Sequence, residues 1–424
     1  MVDSRSWDWE TGEKKVSLDS WKKEYRWVEE PYASPDGEKV AAIVNVDEGE
    51  FTVCVNGQAW GETLFDKIWH LRFSPDGRLT ALVSEMGEWT MAVDGEAWEN
   101  KFGYIWEPRF SADGASIAAA VQQDMRYAMV LNGKPWEQTY ANMTYFALSL
   151  DGRHTAGAVQ VEDVDSGEIH KFQEGSFSAA LDGKPWDSRF VNVWNLAISP
   201  DGKHLAAEVR INLYDYTIAV DGVPWKSHYA TVWEPRFNPA TGTVVAPVRE
   251  KGLWALAEND KIIWDRRFVQ LWHQMFSPDG SRIAAIVAPS YGRWTVAVDG
   301  VPWPATFTRL VTDATFSPDG QRIAALAKDD ETYRVVVDGK PWSDGWEMIW
   351  KPVFSPDGKD VAAKVEKRGR YTYTVNNRVW SASCDAAWPP VFSPDGSHLM
   401  LRTIESGSYV RRIVPVSTIT GQER

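Results

Sequence analysis

A Ser-Pro-Asp-Gly tetrapeptide begins at Ser34, Ser74, Ser199, Ser277, Ser317, Ser355 and Ser393, and close variants fill the gaps. Ser-Ala-Asp-Gly starts at Ser111, Ser-Leu-Asp-Gly at Ser149, and Asn238-Pro239-Ala240-Thr241-Gly242 is the same turn with one residue inserted, which brings the count to ten. Successive starts lie 37 to 40 residues apart, except for the 50 between Ser149 and Ser199. A chain with such a period grows by adding small units that bury their faces against their neighbours, not by enlarging one core. The 424 residues therefore do not imply two or three ordinary domains.

The unit from Trp272 to Thr312 shows the internal order cleanly. Trp272-His-Gln-Met-Phe276 alternates as a strand, Ser277 to Gly280 turns, and Arg282 to Ala288 is a short apolar strand suited to burial on both faces. Arg293 to Val298 alternates as a third strand, Asp299-Gly300 turns, and Val301-Pro-Trp303 opens a fourth. In the first turn Pro presets φ, Asp bonds neighbouring backbone and Gly takes the left-handed position. Asp-Gly between alternating strands is a hairpin signal, since a type I′ turn needs positive φ at both central residues. It recurs as Asn56-Gly57, Asp94-Gly95, Asn132-Gly133, Asp182-Gly183, Asp221-Gly222 and Asp338-Gly339, with degraded copies at Asp260-Lys261 and Asn376-Asn377. A tryptophan follows each at a fixed offset: Trp60, Trp98, Trp136, Trp186, Trp225, Trp264, Trp303, Trp342 and Trp380.

Two hairpins per unit make a four-stranded antiparallel blade, and ten of them make an all-β β-propeller. The last copy lacks its fourth strand, whereas Val16-Ser-Leu-Asp-Ser-Trp21 resembles the start of one. The N-terminal segment is thus expected to complete the last blade and close one ring, removing two exposed sheet edges. Ten blades exceed the usual four to eight, so a pair of five-bladed rings stays open. The expected organisation is a polar tail over 1–15, the propeller over 16–416 and a C-terminal tail over 417–424.

The chain carries 24 tryptophans, and three recurring aromatic positions absorb most of them. They open strand one (Trp69, Trp106, Trp194, Trp233, Trp272, Trp350, Trp388), open strand three (Trp89, Tyr127, Tyr216, Trp294 and equivalents) and sit on strand four. Such periodicity is a packing signature, so these rings are expected in the core. Trp7 and Trp9 lie outside the repeat and are expected to dock onto a partner.

The formal net charge of −14 argues against a nucleic-acid partner, whose phosphates call for Lys and Arg. No apolar run is long enough to span a membrane and no secretory leader is visible, so a cytoplasmic location is expected. Cys54 and Cys384 are too few and too far apart for a disulfide framework or metal cluster. The seven histidines are scattered singly, and no nucleophile elbow, phosphate loop or HExxH helix occurs. No metal, cofactor or catalytic site is expected, and the turn aspartates have turn-forming work to do in place of calcium binding. An enzyme at the channel mouth would need carboxylates or histidines at equivalent blade positions, which the repeats do not show. Glu208, Arg126 and Arg334 could line a channel, with solvated charge as the plainer account. The connection between Val159 and Phe177 is about eleven residues longer than its equivalents. It is read either as a partner-binding insertion, through Glu162, Asp163, Asp165 and Glu168, or as a tolerated surface hairpin.

The pattern Trp-x-x-x-Phe-Ser-Pro-Asp-Gly-x-x-Ile-Ala-Ala resembles the TolB-like, WD-related propeller repeat from Val16 to Val416. TolB itself is periplasmic and has a further N-terminal domain, from which this chain departs. With its tryptophan load and repeated Asp-Gly-Lys-Pro-Trp, the chain looks like the TmcD subunits of the Tmc transmembrane redox complex of sulfate-reducing bacteria. That resemblance implies a non-catalytic accessory role in electron transport at the inner face of the cytoplasmic membrane. It also implies partners in that complex: a membrane cytochrome b, an iron–sulfur protein and a multihaem cytochrome c. The alternative is a protein-interaction propeller unrelated to electron transfer.

Overall fold

The computed structural model describes residues 3–61, 63–162 and 168–421. Its strands form ten antiparallel sheets, each of four successive strands in sequence order except the last. This is the ten-bladed β-propeller expected from the repeats. Blade 2 is representative: Lys67–Phe73, Leu79–Glu85, Glu88–Val93 and Glu96–Ala97 pair in order. In blades 1, 6, 9 and 10 the first strand is split into two pieces. The breaks fall at Pro31, Pro235, Pro352 and Pro389-Pro390, where a ring without an N–H cannot continue the ladder.

The turn chemistry is local and repeated. In the first turn of blade 7 the Ser277 hydroxyl donates to Asp279 at 2.5 Å, while Gly280 is left-handed with φ 72°. In the second hairpin both central residues have positive φ, as for Asp94 at 48° and Gly95 at 94°. The turn Asp or Asn also receives the first amide of strand two, from Asn56 with Val40 to Asn376 with Val361, at 2.8–3.0 Å in all nine such hairpins. In blade 6 that residue is Asn259, so its turn is Asn259-Asp260, one residue earlier than the Asp260-Lys261 expected from sequence.

The fixed Gly-to-Trp offset has an inter-blade cause. A Cβ on the turn glycine of one blade would meet the strand-four indole of the blade before it. The pairs are Trp60 with Gly95 (3.3 Å), Trp98 with Gly133 (3.3 Å), Trp136 with Gly183 (3.1 Å), Trp186 with Gly222 (3.1 Å) and Trp303 with Gly339 (3.0 Å). Trp21, 1% exposed, holds the same place against Gly57, although it opens a short helix, Trp21–Glu24, where a strand was expected.

Two compact units make up the chain, one built mainly from Trp60–Arg267 and the other from Asp3–Val46 with Phe268–Arg424. The first carries blades 2 to 6. In the second, the N-terminal strand Gly12–Ser17 pairs with Ser408–Pro415 and completes blade 10. Blade 10 also meets blade 1: Arg402 donates to the Ser34 carbonyl at 2.6 Å, Tyr409 to Gly37 at 2.8 Å and Arg411 to Asp36 at 2.9 Å. The short helix Ser417–Thr420 buries Ile419 in a cluster with Tyr373, Trp380 and Leu401.

Candidate functional site

In the first unit the first strand of blade 5 contacts the first strands of both blade 4 and blade 6. Six of them carry a β-bulge at one equivalent position, filled by His70, Glu107, Tyr145, Asn195, His273 and Asp313 with φ of 47–52°. Asn, Asp and His tolerate that conformation better than most, Tyr and Glu less so. Bulges re-aim side chains, and here they repeat a polar or aromatic residue at the equivalent position of these blades: His, Glu, Tyr and Asn in the first unit, His and Asp in the second. The sequence reading missed this set. Its signal was the residue after each strand-one tryptophan: Trp69-His70, Trp106-Glu107, Trp194-Asn195, Trp272-His273.

A second equivalent position lies in strand two, opposite the residue that precedes the bulge. Seven blades fill it with Ile43, Leu82, Ala120, Ala158, Pro247, Ile286 or Leu326, and three with Glu208, Lys364 or Arg402. All three charges are buried, so solvated charge does not describe Glu208. The Asn195 amide donates to its carboxylate at 2.7 Å, and burial raises that carboxyl to about 7. Lys364 donates to the Ala387 carbonyl at 3.0 Å and sits 3.5 Å from the Trp350 ring centroid; burial lowers its ammonium to about 8. Arg402, with burial lowering its pKa, spans Ser34 and Pro389 carbonyls. Arg334 and Arg126 bind carbonyls of the strand-four segment instead of a channel, Arg334 that of Ser343 and Arg126 that of Thr139, each at 2.6 Å. In other blades the Arg334 position is a hydroxyl doing the same work, such as Thr295 to Ala305 at 2.7 Å.

The strand-one tryptophans depart from expectation. Trp69 is 43% and Trp233 42% exposed, and Trp106, Trp194, Trp272, Trp350 and Trp388 are half-buried. Each contacts the strand-three aromatic of its blade: most stack or tilt, as Trp233 on Trp254 at 5.6 Å and Trp272 on Trp294 at 4.7 Å, whereas Trp106 and Trp388 meet Tyr127 and Tyr409 edge-on. The strand-four rings fit the core expectation better, with Trp60, Trp225, Trp264 and Trp380 buried.

In the first unit these contacts run on from blade to blade. Trp69 meets Trp89 at 4.5 Å, Trp89 meets Tyr104 at 6.0 Å, Tyr104 meets Trp106 at 5.7 Å, and Trp106 meets both Tyr127 (6.1 Å) and Phe146 (5.9 Å). Exposed methionines stand at the neighbouring hairpin tips: Met86, 91% exposed, and Met125, whose sulfur accepts from Gln122 at 3.4 Å. Tyr104, Trp106, Gln122 and Tyr127 line a depression of about 360 Å³.

Trp7 and Trp9 stack on each other at 6.2 Å in the second unit, half-buried, with Trp9 donating to Ser4 at 2.8 Å. Their segment is tied to blades 10 and 1, because Arg411 donates to the Asp8 carbonyl and Lys14 bridges Asp8 and Glu38. Glu162, in the first unit, accepts from Arg189 at 2.6 Å, and Glu168 pairs with Lys171 at 2.9 Å. Asp163 and Asp165 lie outside the described residues. Among its described residues the long connection holds the helix Ile169–Glu174. Cys54 and Cys384 are buried thiols pushed up by desolvation, Cys384 to about 12. Among the described residues no group of three or more His, Cys, Asp or Glu is placed to hold a metal ion, and no helix is long and apolar enough to cross a membrane.

Fold and surface define a β-propeller whose most distinctive exposed feature is a run of aromatic rings. No protein-family model matches the chain, and no curated protein matches it. Solved structures similar to it include a crystal structure of the eukaryotic initiation factor, at 10% identity and TM-score 0.48 over 77% of this chain and 89% of that one. Another is the Myceliophteria thermophila Cps50 (Swd1) β-propeller domain, at 11% identity and TM-score 0.30 over 63% of this chain and 95% of that one. Neither likeness bears on function.

Proposed function

We propose that this chain is a non-catalytic protein-interaction propeller that presents the aromatic face of blades 2 to 4 to a partner protein. The observation that carries this is the unbroken series of ring contacts from Trp69 to Phe146, flanked by exposed Met86 and Met125. Trp, Tyr and Met are enriched at protein interfaces, where large amphipathic rings give contact area at small entropic cost. The net charge of −14 favours a basic partner surface.

The finer reading is an accessory subunit of a membrane-associated electron-transfer assembly, held at the cytoplasmic face of the membrane by subunits that carry haem and iron–sulfur centres. Its support is the tryptophan-rich repeat with Asp-Gly-Lys-Pro-Trp. Capture of the native chain from membranes, with absorption spectra of what accompanies it, tests both levels. Co-purified haem and iron–sulfur proteins are expected. A stoichiometric partner without redox centres overturns the electron-transfer reading, and a chain recovered alone overturns the interaction reading as well.

A further inference from the structure

Three blades seat a cation of their own on aromatic rings, and blade 3 presents the same frame without one. In blade 8 the strand-two Lys328 ammonium lies 4.8 Å from the Tyr333 ring centroid, and in blade 5 the Arg210 guanidinium lies 5.7 Å from that of Tyr216. In blade 9 Lys364, two residues earlier in its strand, lies 3.5 Å from Trp350 and 5.5 Å from Tyr371. These distances fall within the roughly 6 Å at which a ring face attracts a cation.

Blade 3 has the same frame with a stronger set of rings. Gln122 stands where blades 5 and 8 have Arg210 and Lys328, paired across the sheet with Tyr104 on one side and Tyr127 on the other. Ala120 stands where blade 9 has Lys364, opposite Trp106. Both cation-bearing positions are therefore uncharged, and Gln122 lines the depression with its amide donated to the Met125 sulfur. Trp106 stacks beside Tyr104 at 24° and meets Tyr127 edge-on at 84°, so the rings form stacked and perpendicular walls around the 360 Å³ depression. One exposed carboxylate, Asp124, stands at the hairpin tip past Gln122, while Glu107 beside Trp106 is paired with Arg109 at 3.1 Å.

We infer that Tyr104, Trp106 and Tyr127 form an open cage for a lysine side chain of the partner protein. The inference rests on the interaction reading above and names the chemistry that blade 3 selects. The cage takes the ammonium in place of the internal cations of blades 5, 8 and 9. The acidic balance of the chain favours a cationic occupant over an anionic one.

The test uses the full chain labelled with 5-fluorotryptophan, with the Trp106 fluorine signal assigned through Trp106→Phe. The probes are a capped Gly-Gly-Lys-Gly-Gly peptide, its norleucine counterpart and choline. The lysine peptide is expected to shift the Trp106 signal saturably, with the norleucine peptide at least fivefold weaker. Gln122→Lys, which supplies the missing internal cation, should weaken the lysine peptide at least fivefold while the remaining signals stay in place. Equal response to lysine and norleucine, or unchanged binding by Gln122→Lys, overturns the cage. Response to choline alone overturns the lysine assignment. Captured partner protein together with a silent Trp106 signal sinks the cage and leaves the interaction reading standing.

Discussion

Trp303 lies across Gly339: a Cβ on that glycine would come within 3.0 Å of the indole, and the glycine backbone is left-handed at φ 77°. Steric closeness and backbone conformation thus both demand glycine, and the indole of one blade is fixed by the turn of the next. Gly339→Ala is predicted to destabilise the fold by about 1–3 kcal/mol, read from denaturant unfolding. The same substitution at Gly252, where nothing lies within 4 Å and φ is 83°, carries the conformational cost alone and should be milder.

Arg402 joins blade 10 to blade 1 through buried carbonyls of Ser34 and Pro389. Arg402→Ala leaves those acceptors unmet beside a cavity and is predicted to cost about 3 kcal/mol. Arg126→Ala, at an exposed arginine, should cost less than about 1 kcal/mol. Equal effects in thermal unfolding would remove Arg402 from its closing role.

Glu208 gives the fold a pH dependence with a defined sign. Its carboxyl ionises near 7 in the native state and near 4.5 in the unfolded chain, because burial disfavours the charge. Below pH 4.5 both states are protonated and burial of the group costs nothing through charge. As pH rises from 4.5 to about 7 the native state loses about 3 kcal/mol relative to the unfolded one, and above that range nothing more is lost. Glu208→Gln keeps an acceptor for Asn195, so it should match the parent at pH 4.5 and exceed it in unfolding midpoint at pH 8. A constant difference across that range contradicts the assignment.

Much of the fold was legible because its determinants are local. Ser277 with Asp279 in the first turn, and Asp94 with Gly95 in the second, form their contacts within a few residues, so a repeated tetrapeptide and dipeptide marked the strands directly. The missing fourth strand of blade 10 could be matched to the N-terminus for the same reason. The surface was less legible, because exposure depends on which edge of a blade a strand occupies. Trp69 and Trp60 recur with equal regularity, yet strand one leaves Trp69 half-exposed while Trp60 is covered by the next blade. The bulge residues His70 and Glu107 share a fixed place after the strand-one tryptophan, but as His, Glu, Tyr, Asn and Asp the set shares no residue type, and the register shift that sets them apart is not written in the sequence. Glu208 read as a surface charge because nothing in its neighbours distinguishes a buried strand-two position from an exposed one.

Trp7 and Trp9 rest on a segment that precedes the closing strand Gly12–Ser17. Removal of residues 1–11 leaves that strand intact and is predicted to lower stability by less than about 1.5 kcal/mol while weakening partner capture. Undiminished capture by the truncated chain excludes these rings from the interface.

The central claim is that the exposed rings of blades 2 to 4 bind the partner. It is tested most directly by capture from membranes with Trp69→Ala, Tyr104→Ala and Met125→Ala combined, alongside circular dichroism of the variant. The account predicts a native spectrum and partner recovery reduced at least tenfold, as expected when interface anchors are truncated. Undiminished recovery by a folded variant contradicts it.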